Sequence, residues 1–400
     1  MTLCLNMIVK NEGHIIADTL QKLTGKIKFD YWVISDTGST DSTKKIIFKF
    51  FNERGIKGEL FDDEWVDFGH NRTLALQRAF GKSDYLLVFD ADDEISGELV
   101  LPENLSAHDS YTLKFGNSTT AYNRTLLVNN RKKWKYTGVL HEYIEAAEAG
   151  AGPSSASIEG TYHIVSGRTS SRNIDPGKYA KDAAVLEAAF YKAKAQEPPD
   201  PIFNRYAYYC ANSYRDAGNL EKAVEWYTRT VEECPGGWTE ERYNACLYIY
   251  ELMDDKKRGV YYLVKSHEYN PRRVEGIYEL VKHYCCLGQH AVAGMYYSLV
   301  KQRYENAQDT DLSAYLFAKK DVYDFYLPYY MIIAAVYNRD FETGLKMYDI
   351  IFEKKFAPCP DWFLKHLVGN SKFYLPHCQN QAEFLSKLDT YTHLKKQIQK

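Results

Sequence analysis

Long apolar runs are missing from this chain: no window approaches the ~20 consecutive apolar residues that a membrane-crossing helix needs, and "MTLCLNMIVKNEG" turns polar at Lys10. That is too early for a secretory leader, so a soluble protein without a transmembrane segment is expected. Metal-binding cysteine patterns are missing too. The eight cysteines (Cys4, Cys210, Cys234, Cys246, Cys285, Cys286, Cys359 and Cys378) show neither CxxC nor Cys/His spacing, which excludes a zinc finger or ribbon. In a chain of 400 residues they read as reduced, mostly buried thiols, and hence imply a cytoplasmic setting. Charge of one sign is also lacking: 50 basic residues face 53 acidic ones, for a net charge of -3. Nucleic acid is therefore not an expected partner, although a local phosphate site remains compatible with that balance. No GxGxxG follows the first strand-like segment, where "KNEGH" offers one glycine, and no Walker lysine follows a glycine-rich loop. These absences argue against dinucleotide and P-loop sites.

What is present is an alternation of short β-branched or aromatic runs with amphipathic ones. "LCLNMIV", "YWVIS", "GELF" and "YLLVF" read as strands, separated by helices over "GHIIADTLQKL", "STDSTKKIIFKFFNERG" and "GHNRTLALQRAFG". Such alternation predicts an α/β domain with a mostly parallel central sheet covered on both faces. In sheets of this kind ligands gather beyond the carboxyl ends of the strands. The loops after Val9, Ser35 and Phe89 all reach that edge, and they hold "KNEG", "DTGSTDST" and "DADDE". Further strands are predicted over "SYTLKF", "RTLLVNN", "KWKYTG" and "TYHIVS", with "EAAEAGAGPSSASIEG" as an exposed loop.

The sharpest chemical feature is "LLVFDADDEIS", where three carboxylates follow a buried strand within four positions. Asp90, Asp92 and Asp93 repel one another unless they face solvent or a cation. A helix start would use one or two of them as caps. Asp90 and Asp92, one residue apart, can instead share a hard divalent cation whose remaining ligands are phosphate oxygens. Arg72 opens a helix, from which its fork can reach a phosphate, the Asp90 carboxylate, or Asp67 at the surface.

"NMIVKNEG", "VISDTGSTDST" and "VFDADDE", in this order, resemble a family 2 glycosyltransferase of the GT-A fold over roughly residues 3 to 145. The resemblance implies metal-dependent, usually inverting transfer from a nucleotide-diphosphate sugar, with a UDP-sugar as donor and Mn²⁺ or Mg²⁺ as cofactor. It places Asp36 at the nucleobase, Asp90 near the ribose and Asp92 on the cation, with Asn11, Glu12, Arg72 and Lys178 on the donor side. Asp36, Ser39 and Asp41 also suit ordinary loop capping. "WKYTGVLHEYIE" resembles a Gly-x-x-His-Glu block found where such domains are fused to helical repeats, which makes Glu142 the expected catalytic base, with Asp93 and Asp109 as weaker substitutes. His141 and His163 are the histidines that would complete the cation site. His163 is preferred, because "RTSSRNIDPGKY" beyond it can fold over a diphosphate through Arg168, Arg172 or Lys178. The Gln-x-x-Arg-Trp block of processive, membrane-embedded synthases is absent.

After "YKAKAQEPPDP" the pattern is helical only. Ala223, Tyr227 and Pro235, then Tyr248, Gly259 and Pro271, then Gly288, Ala293 and Tyr297, then Gly344 and Tyr348 recur at intervals that resemble the tetratricopeptide repeat. Two domains follow: a GT-A glycosyltransferase domain over 1–195 and a tetratricopeptide-like helical domain over 196–400. Curved repeats suit an extended acceptor, a glycan or a protein, and can also carry a homodimer contact. Tyr206, Tyr208, Tyr209, Tyr214, Trp226, Tyr227 and Trp238 can stack on it with their ring faces, while some of them must instead fill the seams between helices. The competing reading is a protein-interaction scaffold with an inactive transferase-like domain.

Overall fold

The computed structural model describes every residue except 103, 117–120, 149–151, 307–311, 355–358 and 399–400. Two compact units emerge, Met1–Trp238 and Thr239–Lys400. The boundary expected at 195/196 falls inside the first of them.

The first unit opens with β1 (Leu3–Val9), α1 (Ile16–Lys26), β2 (Tyr31–Asp36), α2 (Thr43–Glu53), β3 (Lys57–Asp62), α3 (Phe68–Ala79) and β4 (Tyr85–Val88). Strand β1 pairs in parallel with β2 and β4, and β2 with β3. Ile16, Leu20 and Leu23 of α1 and Ile47, Phe50 and Phe51 of α2 fill one face of this sheet. Leu76 and Ala79 of α3 fill the other with Val33, Leu86 and Val88. Burying both faces is what makes the strands near-continuous apolar runs and leaves their polar ends to the loops.

The sheet then turns mixed. The segment after "DAD" is not a helix start: it continues as β5 (Asp93–Glu98). There follow β6 (Ser110–Gly116), β7 (Ala121–Asn129), β8 (Trp134–Thr137), β9 (Tyr143–Ala146), β10 (Ser155–Ser157) and β11 (Thr161–Ser166). The strand order is β3-β2-β1-β4-β7-β6-β11-β5, with β10 on β6, while β8 and β9 form a separate hairpin. Strand β7 runs antiparallel to both β4 and β6. The segment 145–160, anticipated as a loop, thus contributes the end of β9 and the short β10, and residues 149–151 of it lie outside the described residues.

A short helix α4 (Ser171–Ile174) leads to α5 (Lys178–Lys194), α6 (Phe203–Asp216) and α7 (Leu220–Glu232), which complete the first unit. Phe190 of α5 meets Phe203 and Trp226 edge-on at 5.8 and 5.0 Å. Tyr206, Tyr208, Tyr209, Trp226 and Tyr227 are buried and Tyr214 is half-buried, so of the anticipated stacking aromatics only Trp238 is exposed. Large rings were needed to fill seams between helices, and that use won.

The second unit is all helical. It contains α8 (Thr239–Leu252), α9 (Lys256–Tyr269), α10 (Glu275–Cys286), α11 (His290–Ser298), α12 (Lys301–Asn306), α13 (Leu327–Asn338), α14 (Phe341–Glu353), α15 (Asp361–Ser371) and α16 (Gln381–Ile398). Consecutive helices pair as α8 with α9, α10 with α11 and α13 with α14, as α6 does with α7 in the first unit. Their turns share a device: Asn219, Asp255 and Asp340 accept from the amides of Lys222, Arg258 and Thr343 and so cap the second helix of the pair. The small residue four positions after each cap lets the helices close. At Gly344 a side chain would overlap the ring of Tyr374, a direct cause for its size. No helix among the described residues is long and apolar enough to cross a membrane.

Candidate active site

Three loops meet at the carboxyl ends of β1, β2 and β4, and hydrogen bonds tie them together. Asn11 is left-handed (φ 56°), a conformation that asparagine tolerates. Its side-chain oxygen accepts from Thr40 N at 2.8 Å, and its own amide donates to Ser39 Oγ at 2.8 Å. Gly13 N donates to Asp41 Oδ2 at 2.9 Å. The loops after β1 and β2 are therefore one structure.

Asp36 is fully buried at the end of β2. Its Oδ1 caps its own loop, accepting from Gly38 N at 3.0 Å and Ser39 N at 2.7 Å. Its Oδ2 is buried with no hydrogen-bond partner among the described residues, although a buried carboxylate oxygen ordinarily has one. Capping and an unfilled acceptor coexist on one side chain.

Arg72 is the hinge of the site. Its Nη2 pairs with Asp90 Oδ1 at 2.7 Å and its Nε with Glu142 Oε1 at 2.7 Å, and the side chain is only 8% exposed. Asp67 is not its partner; it caps α3 by accepting from His70 N at 2.7 Å. The register of this contact follows from close packing. A side chain at Gly69 would overlap the carbonyl of Gly138, and Thr73 Oγ1 accepts from Tyr136 N at 2.8 Å, so α3 lies against β8 and the turn that carries Glu142.

The acidic cluster splits by environment. Burial would raise the Asp90 carboxyl, but the guanidinium groups of Arg72 and Arg124 hold it below the usual carboxylate range. Asp93 goes well above that range, through burial and the charges of Asp90 and Asp92. The Asp90–Asp93 pair thus holds one firm charge rather than two. Arg124, on β7 and 4.6 Å from the Phe115 ring, had no signal in the sequence beyond an arginine inside a strand. Its charge reaches Asp90 and Asp93 only because β7 is antiparallel to its neighbours.

Over these loops runs a strap, residues 167–178. Gly167 N donates to Asp92 O at 2.6 Å. His14 Nε2 bonds Thr169 O at 2.9 Å, and Ser171 bonds the Asn11 carbonyl through its hydroxyl and Glu12 Oε2 through its amide, the latter at 3.3 Å. Asp92 Oδ2 accepts from Asn173 Nδ2 at 2.8 Å and Ser170 N at 3.4 Å. Lys178 donates to Asn173 Oδ1, and Arg172 pairs with Asp182 and lies 4.6 Å over the ring of Phe68. Glu12 is 6% exposed; burial lifts its carboxyl to about 7, against the Ser171 amide and together with the charge of Asp92.

The two histidines part company. His163 lies on β11 opposite Ser96, whereas Asp92 meets the chain at Gly167, roughly 13 Å further along at ~3.3 Å per residue. His141 is left-handed (φ 54°), stacks on Tyr209 at 4.1 Å and is open at its outer edge. Desolvation, and then the charges of Arg205, Arg172, Lys178 and Arg124, push its imidazolium down to about 3, so the ring is neutral at pH 7. Arg205 of α6 donates to the His141 carbonyl at 2.9 Å, and Tyr206 OH accepts from Val139 N at 3.1 Å. Asp109 is remote from all of this, paired with Lys132 at 2.7 Å.

Among the described residues no three His, Cys, Asp or Glu side chains converge to hold a metal ion by themselves. The donor set nevertheless suits a hard cation that draws most of its ligands from a substrate. Asp92 is a carboxylate on the open edge of the sheet, with Oδ1 left without a hydrogen bond among the described residues, and oxygen is the ligand that Mg²⁺ and Mn²⁺ prefer.

A mostly parallel α/β sheet with an acidic edge, a buried arginine joining two carboxylates and a basic strap defines an α/β domain of the nucleotide-sugar-binding, GT-A-like kind. Residues 4–125 match the family model described as glycosyl transferase family 2. The chain carries an N-terminal domain of that kind ahead of a distinct all-α region, and it is a nucleotide-diphospho-sugar-dependent glycosyltransferase. Among solved structures it is similar to S. aureus TarS (15% identity over 77% of this chain and 56% of that one, TM-score 0.32). It is also similar to the mannosyltransferase PcManGT from Pyrobaculum calidifontis in complex with GDP-Man and Mn²⁺ (10% identity, 77% and 88% covered, TM-score 0.34), and to "MamA RS-1 ArsTM double mutant" (11%, 48% and 95% covered, TM-score 0.34). No curated protein matches the chain.

Proposed function

We propose that the enzyme transfers a sugar from a UDP-sugar to a glycan or protein acceptor, with inversion and with the help of Mn²⁺ or Mg²⁺. The observation that supports this reading best is the Arg72 fork, which ties Asp90, the ribose-side carboxylate, to Glu142, the acceptor-side one. Asp36 Oδ2, an unfilled acceptor, receives the imide N–H of the base, and Asn11 and Glu12 shape the floor beside it. Asp92 holds the cation; His141, neutral and open, is the histidine whose chemistry permits a second bond, in place of His163. The cation neutralises the departing diphosphate.

Arg72 keeps Glu142 oriented, and Glu142 takes the proton of the acceptor hydroxyl as that oxygen attacks the anomeric carbon. Lys178 and Arg172 face the strap side and receive charge that develops on the leaving phosphate. The asparagine and backbone donors on Asp92 give way when the donor enters. The paired helices act as tetratricopeptide-like repeats that carry acceptor selection or self-association.

Calorimetry with UDP tests the donor site: binding in the presence of Mn²⁺, and at least ~10-fold weaker after chelation, is the expected pair. Unchanged affinity without the metal would overturn the role of Asp92. Asp92→Asn should melt with the wild type and lose ~100-fold or more in turnover.

A further inference from the structure

Within the second unit taken alone, the turn between α9 and α10, the short α12 and the segment near residue 315 enclose a cavity of about 320 Å³. Two arginines, Arg272 and Arg303, stand on its lining. Neither guanidinium has a carboxylate or hydrogen-bond partner among the described residues, and both side chains are exposed. The contrast with their neighbour is informative. Arg273, fully buried, is matched by Glu240 and Glu275, each at 2.7 Å. The fold thus gives its structural arginine two carboxylates, one negative charge more than it carries, and leaves the guanidinium groups of Arg272 and Arg303 without a carboxylate partner among the described residues at the cavity.

The remaining wall is aromatic and aliphatic, from Val274, Val300 and three tyrosines. Tyr323 spends its hydroxyl on Glu275 Oε2 at 2.9 Å, and Tyr304 spends its own on the Tyr323 carbonyl. Tyr315 keeps a hydroxyl without a partner among the described residues. The lining thus combines two free guanidinium groups and one free hydroxyl with ring faces and methyl groups. Two separate cations are best bridged by an anion with oxygens on several sides and up to two negative charges, which describes a phosphate monoester better than a carboxylate. A volume near the lower end of ligand pockets, ~300–1,000 Å³, admits one sugar-sized body and excludes a dinucleotide.

We propose that this cavity is a binding site for a sugar phosphate, its phosphoryl group held between Arg272 and Arg303 and its ring against Tyr304, Tyr315 and Tyr323. The site is independent of the transferase reading, since none of its residues belongs to the first unit. Calorimetry on the full chain at low salt, with glucose 6-phosphate, inorganic phosphate and glucose as probes, tests it. Glucose 6-phosphate should bind, inorganic phosphate should bind less tightly, and glucose should give no heat. The double variant R272Q/R303Q should weaken glucose 6-phosphate at least ~10-fold while keeping the wild-type melting curve, because neither side chain has a partner to lose. Tyr315→Phe should weaken it by a smaller factor. Wild-type affinity in R272Q/R303Q, or no binding of glucose 6-phosphate to the wild type, overturns the site. Inorganic phosphate binding as tightly as the ester overturns the part assigned to the sugar ring.

Discussion

Replacing Arg72 with Met removes the cation that pairs with both Asp90 and Glu142. Both contacts are 2.7 Å, and the arginine and Glu142 side chains are each 8% exposed while that of Asp90 is 25% exposed. Breaking a buried pair by removing one partner costs about 3–5 kcal/mol, mostly as the penalty on the charge left behind. The pH dependence separates that penalty from lost packing. In the wild type the Asp90 carboxyl lies below its ordinary value, so its stabilising share is present above the unfolded pKa and is lost as pH falls through the folded one. In Arg72→Met, Asp90 keeps only Arg124 as counter-charge, so its carboxyl rises and the stability it contributes toward neutral pH shrinks. The gap should be about 3–5 kcal/mol at pH 7 and close by more than ~1 kcal/mol toward pH 4.5. Urea unfolding read by hydrogen exchange on α3 and β4 peptides measures it without interference from the second unit. The triple variant R72M/D90N/E142Q should recover part of the loss at pH 7, because neither carboxylate is then stranded and only Arg124 has lost Asp90 as its counter-charge. A gap that stays the same within ~0.5 kcal/mol from pH 4.5 to 7 would refute the view that electrostatics hold this junction.

Glu142→Gln should depress turnover far more than donor affinity, since the proposed base meets the acceptor; a large fall in UDP-sugar binding with turnover preserved would make Glu142 a donor-site residue. Glu12→Gln removes a carboxyl that burial lifts to about 7. The raised value means that the wild type loses stability as pH rises from about 4.5 to 7, so the variant should gain on it by up to about 3 kcal/mol across that window, and parallel pH–stability curves would contradict the burial. A chain ending at residue 238 should fold, whereas one ending at 195 should melt lower or aggregate, because it strips Phe190 of Phe203 and Trp226 and the 139–141 turn of Tyr206 and Arg205; equal melting temperatures would show that α6 and α7 are dispensable to the sheet.

The parts of this site that could be read from the chain are those that local periodicity fixes. A buried strand of period two must deliver its next polar residue to the sheet edge, so Asp36 and Asp90 were placed by the apolar runs before them. Arg72 was placed near the start of a helix by the amphipathic run over "GHNRTLALQRAFG"; the helix begins at Phe68, which puts Arg72 in its second turn. Partners are another matter. Asp92 takes its hydrogen bond from Asn173, 81 positions away, and nothing in either neighbourhood specifies the other. Arg124 reaches Asp90 only because β7 inserts antiparallel between β4 and β6, a choice that three similar apolar strands do not encode one by one. His163 likewise depends on a partner strand: its register with β5 sets it opposite Ser96, which the local pattern does not specify.

The aromatics show why composition alone misleads about surfaces. An abundance of tyrosine fits an acceptor platform and a helical seam equally well, and the decision rests on what faces each ring. Tyr227 and Tyr348 occupy equivalent places in their helix pairs, and both are buried; the hydroxyl of Tyr348 donates to the Leu367 carbonyl at 2.8 Å, and that of Tyr227 to Asn212 Oδ1 at 2.6 Å. A residue that fills a seam with its ring and satisfies its polar tip inside the fold has no face left for a ligand. Recognition in these helices must then come from side chains that the packing leaves unpaired, and in the second unit those with charge to offer include Arg272 and Arg303.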